Sequence, residues 1–332
     1  MAAEKVMAEA RNFMMSRVIL TAAELDLFTR LSKGPASAEA LAKDLDLDLK
    51  GLTRLLDALV VAGLLAKEEG VYRNTDQGVF LTAGHPETAL PMVLHMNTLW
   101  STWSVLTEVV RKGQGKQQIK AGIRFDEKAM TAFIGAMHVG ARGMAAQIAE
   151  TVDLSPYKKV LDVGGASGTY TIAFLRENPN LRAVLFDQKN VIPIARERLQ
   201  QEGLETRVDL VPGDFYKDEL PGGCDLALLS AIIHQNSPDE NLMLFQKVFR
   251  ALAPGGVILI RDHIMDESRT RPPAGAVFAL NMLVNTGGGD TYTLSEVKTG
   301  LEKAGFIEVG LLKDGQRMDG LVTARKPNRS QP

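Results

Sequence analysis

From residue 155 onward, short apolar runs alternate with helical stretches: "KVLDVGG" from Lys159, "RAVLFD" from Arg182, "VDLVPGD" from Val208, "CDLALLSAIIH" from Cys224 and "GVILIRD" from Gly256. Each reads as a strand followed by a helix or helix-like segment. Strands joined through helices run parallel, because the chain must cross back over the sheet between them. The reading is an α/β fold with a doubly wound, Rossmann-like parallel sheet. Before residue 155 the pattern is almost wholly helical. Apolar spacing recurs in "RVILTAAELDLFTRL" and "LKGLTRLLDALVVAGLL", and Met- and Trp-bearing segments follow at 88–112 and 125–152.

Within the first half, residues 37–82 run helix, turn, helix, then strand-turn-strand around Glu69 and Gly70, the outline of a winged helix. Such a module often binds DNA, so a winged-helix regulator is a competing reading. Charge opposes it. Residues 1–100 hold 10 Lys+Arg against 13 Asp+Glu, and the would-be recognition helix offers Lys50 and Arg54 beside Asp57. A groove reader needs several phosphate-neutralising cations on that face. Packing or dimerisation is the expected role.

The net charge of −2 gives no general attraction to nucleic acid or to an anionic membrane. No apolar run approaches the roughly 18 residues of a spanning helix, and the start carries Glu4 and Glu9 where a secretory signal would be basic and then apolar. The expected location is the cytoplasm. The single cysteine, Cys224, lies in the apolar run "CDLALL" and reads as packing.

The turn after the first strand, "VLDVGGASGTYTIAFL" from Val160, carries the chemistry. Gly164, Gly165 and Gly168 let the backbone bend sharply and approach a ligand, and the next helix points its first amides at the same spot. The spacing does not complete G-x-G-x-x-G, since Ala166 and Thr169 stand where further glycines would be. A nicotinamide dehydrogenase is therefore disfavoured. Asp162 would also repel a pyrophosphate, yet would favour an ammonium or a sulfonium. S-adenosylmethionine carries both. Asp187 ends the second strand 23 residues beyond Gly164, where an acid can accept from both ribose hydroxyls. Asp214 and Phe215, at the end of the third strand, offer an acceptor and an aromatic face to an adenine. Singly, each acid also reads as a strand-end or capping residue.

His234 falls at the carboxyl end of the fourth strand, the edge where open α/β sheets bind ligands. Ser237, Pro238 and Glu240 then form a capping box with proline at the first helical position, which fixes the loop. An imidazole with an ordinary pKa of about 6.5 can take a proton from a hydroxyl that attacks a methyl group, although a histidine bonded only to its loop is the plainer alternative. His85 reads as a loop residue, His95 as packed in a helix and His263 as following an acidic strand end. No spacing suggests a zinc site.

These motifs, with "LFDQKNV", "GDFY", "IIHQNSPDENLMLFQKVFRALAPGGVILIRDHI" and "NMLVNTGGGDTYTLSEVKTGLEKAGF", make the chain resemble the class I S-adenosylmethionine-dependent O-methyltransferases of the caffeic-acid and acetylserotonin O-methyltransferase group. The likeness covers nearly the whole chain. It implies an N-terminal α-helical winged-helix dimerisation domain at 1–85 that forms an intertwined homodimer, a helical linker at 86–154 contributing to the acceptor pocket, a methyltransferase domain at 155–326 and a tail at 327–332. It places His234 at the catalytic-base position, and adds Gln188 and Ser230 to the cofactor contacts. The family's plant members have Asp-Trp after the histidine and two glutamates flanking it; here stand Gln235-Asn236, Asp262 and Thr291. Asp262 can still orient an imidazole, whereas Thr291 can only hydrogen-bond. By the same resemblance Trp100, Trp103, Phe125, Met130, Phe133, Met137, His138, Phe278, Asn281 and Met282 match pocket-lining segments, although such residues at helical spacing are also ordinary core. The implied activity is O-methylation of a hydroxyl on an aromatic or polyene-like small molecule. The alternatives are a cofactor-binding regulator and a non-methylating enzyme on the same fold.

Overall fold

The computed structural model describes residues 2–113 and 127–328. Two compact units emerge. The first takes residues up to Trp100 and the part of the helix Glu127–Thr151 that ends at Gly140; the second starts at Ser101 and resumes at Ala141. The two units thus divide the region 86–154 between them.

In the first unit, helices Ala2–Glu24, Leu27–Leu31, Ala38–Leu45 and Leu49–Val61 pack over a small antiparallel sheet of β1 (Ala36–Ser37), β2 (Leu65–Glu68) and β3 (Val71–Asn74) in the order β1-β3-β2. The expected wing is present. Glu69 and Gly70 both take positive φ, 49° and 81°, as a tight two-residue hairpin requires. Ser37 accepts from the Ala40 amide and Asp48 from the Gly51 amide, so each of the two central helices starts on a capped turn. Leu27, Phe28, Leu56 and Leu59 are fully buried, and burial of each such side chain contributes about 1.5–3 kcal/mol. Asp57 accepts from both Lys67 and Tyr72, so a cation of the wing is already paired within the module. Val6, Met7, Phe13 and Met14 on the first helix are exposed.

The second unit is built on β4 (Lys159–Val163), β5 (Arg182–Asp187), β6 (Val208–Pro212), β7 (Cys224–Ser230), β8 (Leu252–Asp262), β9 (Ile264–Met265), β10 (Tyr292–Thr293), β11 (Ile307–Lys313) and β12 (Gly320–Arg325). Seven of these form one sheet in the order β11-β12-β8-β7-β4-β5-β6. The expected α/β architecture and its five strands are all there. Two features differ from the sequence reading. β6 runs into turns, with no helix after it, and β12 enters antiparallel between β8 and β11, so the sheet is mostly rather than wholly parallel. β9 and β10 form a separate parallel pair.

Alternate residues of the central strands go to opposite faces. Leu161, Val163, Ala227, Leu229, Ile258 and Ile260 pack on the side of helices Pro238–Ala251 and Leu294–Lys303. Val160, Leu226, Leu228 and Leu259 pack on the side of helices Thr169–Glu177 and Ile192–Gln201. Cys224 is wholly buried in the first of these layers, and burial pushes its thiol up to about 11, in keeping with a packing residue. The chain order reverses between β4 and β7, which opens the crevice at the carboxyl ends of the strands. Among the described residues no helix is long and apolar enough to cross a membrane, and no group of three or more His, Cys, Asp or Glu could hold a metal ion.

Candidate active site

The glycine turn closes directly on β4. Gly164 and Gly168 have φ of 69° and 79°, and the Gly168 amide donates to Gly165 O at 2.8 Å. A Cβ on Gly164 would lie 2.7 Å from Ile232 Cδ1, and one on Gly165 2.7 Å from Leu185 Cγ and 2.9 Å from Asp162 Oδ2. No larger residue fits either place without moving its neighbours.

Asp162 lies beneath that bare backbone, 2% exposed, and accepts from Thr171 Oγ1 at 2.6 Å. Burial raises its carboxyl to about 6; the Thr171 bond opposes the rise and the charge of Asp187 adds to it. Asp187 takes one amide on each oxygen, Ala166 N and Gln188 N, both at 2.7 Å. Burial raises this carboxyl as well, against those two bonds. Two lone pairs remain for a ligand. The Gln188 side chain is exposed beside it.

Asp214 and Phe215 lie past the end of β6, in the turn that follows Pro212, and not on the strand. Asp214 pairs with Lys217 at 2.9 Å, and that bond holds its carboxyl below the usual range. The Phe215 ring edge comes within 3.7 Å of a Cβ built on Gly164, so the aromatic face and the glycine turn share one corner. Ser230 ends β7, and its buried Oγ lies beside the Tyr170 hydroxyl.

His234 sits in a one-turn helix, Ile233–Gln235, just beyond β7. Its Nδ1 is 2.9 Å from both oxygens of Asp262, which is wholly buried at the end of β8. Burial pushes the Asp262 carboxyl up, but the His234 imidazole, its hydrogen bond and Arg261 together bring it below the usual range. The His234 and Phe278 rings meet in a T-shaped arrangement at a centroid distance of 5.0 Å and an interplanar angle of 90°. Asp290 N donates to His234 O, which brings Thr291 beside the same turn. Arg269 ties that corner down, donating to Asp290 Oδ2 at 3.2 Å, to Thr291 O at 2.9 Å and to Glu296.

Phe278, Asn281, Met282 and Asn285 share one face of the helix Pro273–Asn285. Asn281 Oδ1 accepts from Trp103 Nε1 and from Asn285 Nδ2, both at 2.9 Å, and Met282 is buried. Phe133, Met137, His138 and Met130 belong to the first unit, where Phe133 packs edge-on to His95 at 5.2 Å and Arg17 stacks on Trp100. Phe125 lies outside the described residues. His263 is buried, with its imidazole lowered by that burial, and packs against Phe278.

Sequence reasoning missed a polar ladder under His234 that runs from half-exposed Tyr216 onto the buried amides of Asn236 and Asn241. Tyr216 OH donates to Asn236 Oδ1 at 2.6 Å, Asn236 Nδ2 to Asn241 Oδ1 at 3.0 Å, and Asn241 Nδ2 to Ile233 O at 2.9 Å. Tyr292 OH adds a bond to Asn236 O. One signal was present: Asn241 occupies the inward register of its helix with Leu244, Phe245 and Val248, where an amide needs buried partners.

The family profile described as the O-methyltransferase domain matches residues 103–307. The chain belongs to the O-methyltransferase family. A dimerisation domain of the same family matches residues 7–84. Acetylserotonin O-methyltransferase of Gallus gallus is 32% identical over 94% of each chain. A tetracenomycin polyketide synthesis 8-O-methyl transferase of Streptomyces glaucescens is 31% identical over 95% of this chain and 94% of that one. The structure of human N-acetylserotonin methyltransferase with S-adenosylmethionine aligns over 99% of this chain and 98% of that one, with a TM-score of 0.85 and 27% identity. This O-methyltransferase is an S-adenosylmethionine-dependent enzyme. Its residues fit that cofactor: spare acceptors on Asp187 and a glycine turn that a Cβ would obstruct.

Proposed function

We propose that this O-methyltransferase methylates a hydroxyl group of a flat aromatic or polyene-like small molecule, with His234 as the proton acceptor. The observation that carries the reading is the bidentate approach of buried Asp262 to His234 Nδ1. A carboxylate there holds the proton on Nδ1 and leaves the Nε2 lone pair to take another; the same charge then stabilises the imidazolium. Thr291 supplies no charge to this pair, so the acidic support comes from Asp262.

When bound, S-adenosylmethionine supplies an electrophilic methyl group on a sulfonium. Asp162, Gly164, Gly165 and Gly168 would hold its amino-acid end, Asp187 with Gln188 its ribose, and Asp214, Phe215 and Ser230 its adenine side. Trp103, Phe278, Asn281 and Met282 would wall the acceptor within the second unit. Aligning the hydroxyl and excluding water would provide much of the rate. We further read residues 1–85 as the module that makes a homodimer, 86–154 as the helical segment serving the pocket, 155–326 as the methyltransferase domain, and the enzyme as cytoplasmic.

The test is mass spectrometry of purified enzyme with methyl-labelled cofactor and a panel of phenols, quinols and polyketides. Labelled O-methyl ethers support the proposal. Label found only on nitrogen or carbon would replace it, and cofactor binding without transfer to any acceptor would leave the fold with another chemistry.

A further inference from the structure

The ladder beneath His234 reaches the other side of the site. Phe215 and Tyr216 are neighbours in sequence with ring centroids 4.5 Å apart, and Phe215 edges the glycine turn at Gly164. From Tyr216 the bonds run through Asn236 and Asn241 to the carbonyl of Ile233, the residue just before His234.

Their direction is fixed from one end. A carbonyl only accepts, so Asn241 offers Ile233 its Nδ2 and turns Oδ1 to Asn236; Asn236 must then donate Nδ2 there and accept from Tyr216 on Oδ1. The phenol is therefore the donor, and burial, with Glu240 and Asp214, pushes its pKa to about 12, so it stays protonated. Asn236 is wholly buried with both amide groups engaged, its carbonyl taken by Tyr292 and its N–H donated to Ile233 O. Buried amides with every group paired do not absorb a displacement cheaply, because breaking one bond strands a polar atom away from water.

We propose that Tyr216 is a positioning residue that relays occupancy of the Asp214–Phe215 corner to the His234 turn through Asn236. The relay rests on the reading of that corner as the adenine contact. It gives the enzyme a way to set its imidazole once the nucleoside end of the cofactor is seated.

The probe is adenosine, which carries the base and ribose without the sulfur or the amino-acid end. Ring 15N resonances of His234 are followed in 15N-histidine-labelled enzyme, assigned by their loss in His234→Asn. In the wild type, saturation with adenosine should move them. Tyr216→Phe, which keeps the ring and removes only the donor, should bind adenosine within about fivefold of the wild type, the worth of one ordinary hydrogen bond, and lose at least half of that movement. An undiminished movement in Tyr216→Phe, or none in the wild type at saturation, would overturn the relay. A different failure points to the input: if Asp214→Ala and Phe215→Ala both bind adenosine as the wild type does, the adenine reading is wrong and the relay falls with it.

Discussion

Asp262 meets His234 with both carboxylate oxygens at the same 2.9 Å from Nδ1, and its Oδ1 also accepts from the His263 amide at 2.8 Å. The carboxylate is thus held by the backbone while it holds the ring. Asp262→Asn keeps the shape but allows the opposite imidazole tautomer and removes the charge that stabilises the cation. Turnover of an un-ionised acceptor should fall at least tenfold, toward the roughly 10²–10⁴-fold worth of a general base, with cofactor affinity unchanged. Stopped-flow single turnovers check it; a wild-type rate would remove Asp262 from the mechanism.

As the proposed proton acceptor, His234 should matter in proportion to the basicity it must supply. His234→Ala should slow transfer by roughly 10²–10⁴-fold for a weakly acidic hydroxyl and far less for a phenol already ionised at the assay pH. Rates across acceptors of graded pKa give the slope. Equal losses for all acceptors would mean that the ring packs rather than titrates.

Asp162 has a folded pKa of about 6 against an unfolded value of about 3.9. Between those values the folded chain keeps a proton that the unfolded chain has released. Its contribution is therefore fully present below about pH 4 and is lost as pH rises through about 6, a change of up to about 3 kcal/mol. Asp162→Asn should flatten that segment of the stability curve in denaturant titrations. A sulfonium or ammonium nearby favours the carboxylate, so cofactor binding near pH 6 should release a proton. Calorimetry in buffers of different ionisation enthalpy measures it, and a heat that ignores the buffer would contradict the placement.

Asp187, the proposed ribose contact, keeps two free lone pairs on a carboxylate already steadied by two amides. S-adenosylmethionine and its demethylated product should raise the melting temperature of the enzyme. Asp187→Ala should weaken their binding about 10- to 100-fold, the worth of one charged hydrogen bond. Unaltered affinity in the variant would reassign the ribose contact.

The first helix exposes Val6, Met7, Phe13 and Met14 within or beside the matched dimerisation domain. An apolar face of that kind calls for a partner surface. Light scattering should give a dimer for the intact chain, and Phe13→Asp with Met14→Asp should shift it toward monomer. An active monomer of the unaltered enzyme would refute the homodimer.

The parallel core was legible because buried strands write continuous apolar runs: β5 occupies the very residues, Arg182–Asp187, that the sequence marks. The edge strand β11 was not, since its residues are half-buried or exposed in no regular alternation, and its partner β12 pairs antiparallel with β8 only once the chain has folded back. At the site, His234 and the glycine turn could be named from position, and Asp262 from the family resemblance. The environment of Asp162 could not, because its burial beneath Gly165 and its bond to Thr171 depend on how the turn closes. The Tyr216–Asn236 bond spans 20 residues, and neither residue carries a mark that predicts the other.

Arg269 acts as a mechanical joint. One guanidinium serves Asp290, Thr291 and Glu296, and the Arg269 backbone itself holds a φ of 57° to reach them. Ion pairs this exposed weaken as salt rises, while the sheet beneath them does not. Raised salt should therefore loosen the Arg269 contacts to this corner before it touches the sheet, and faster amide exchange at residues 290–293 is the expected sign.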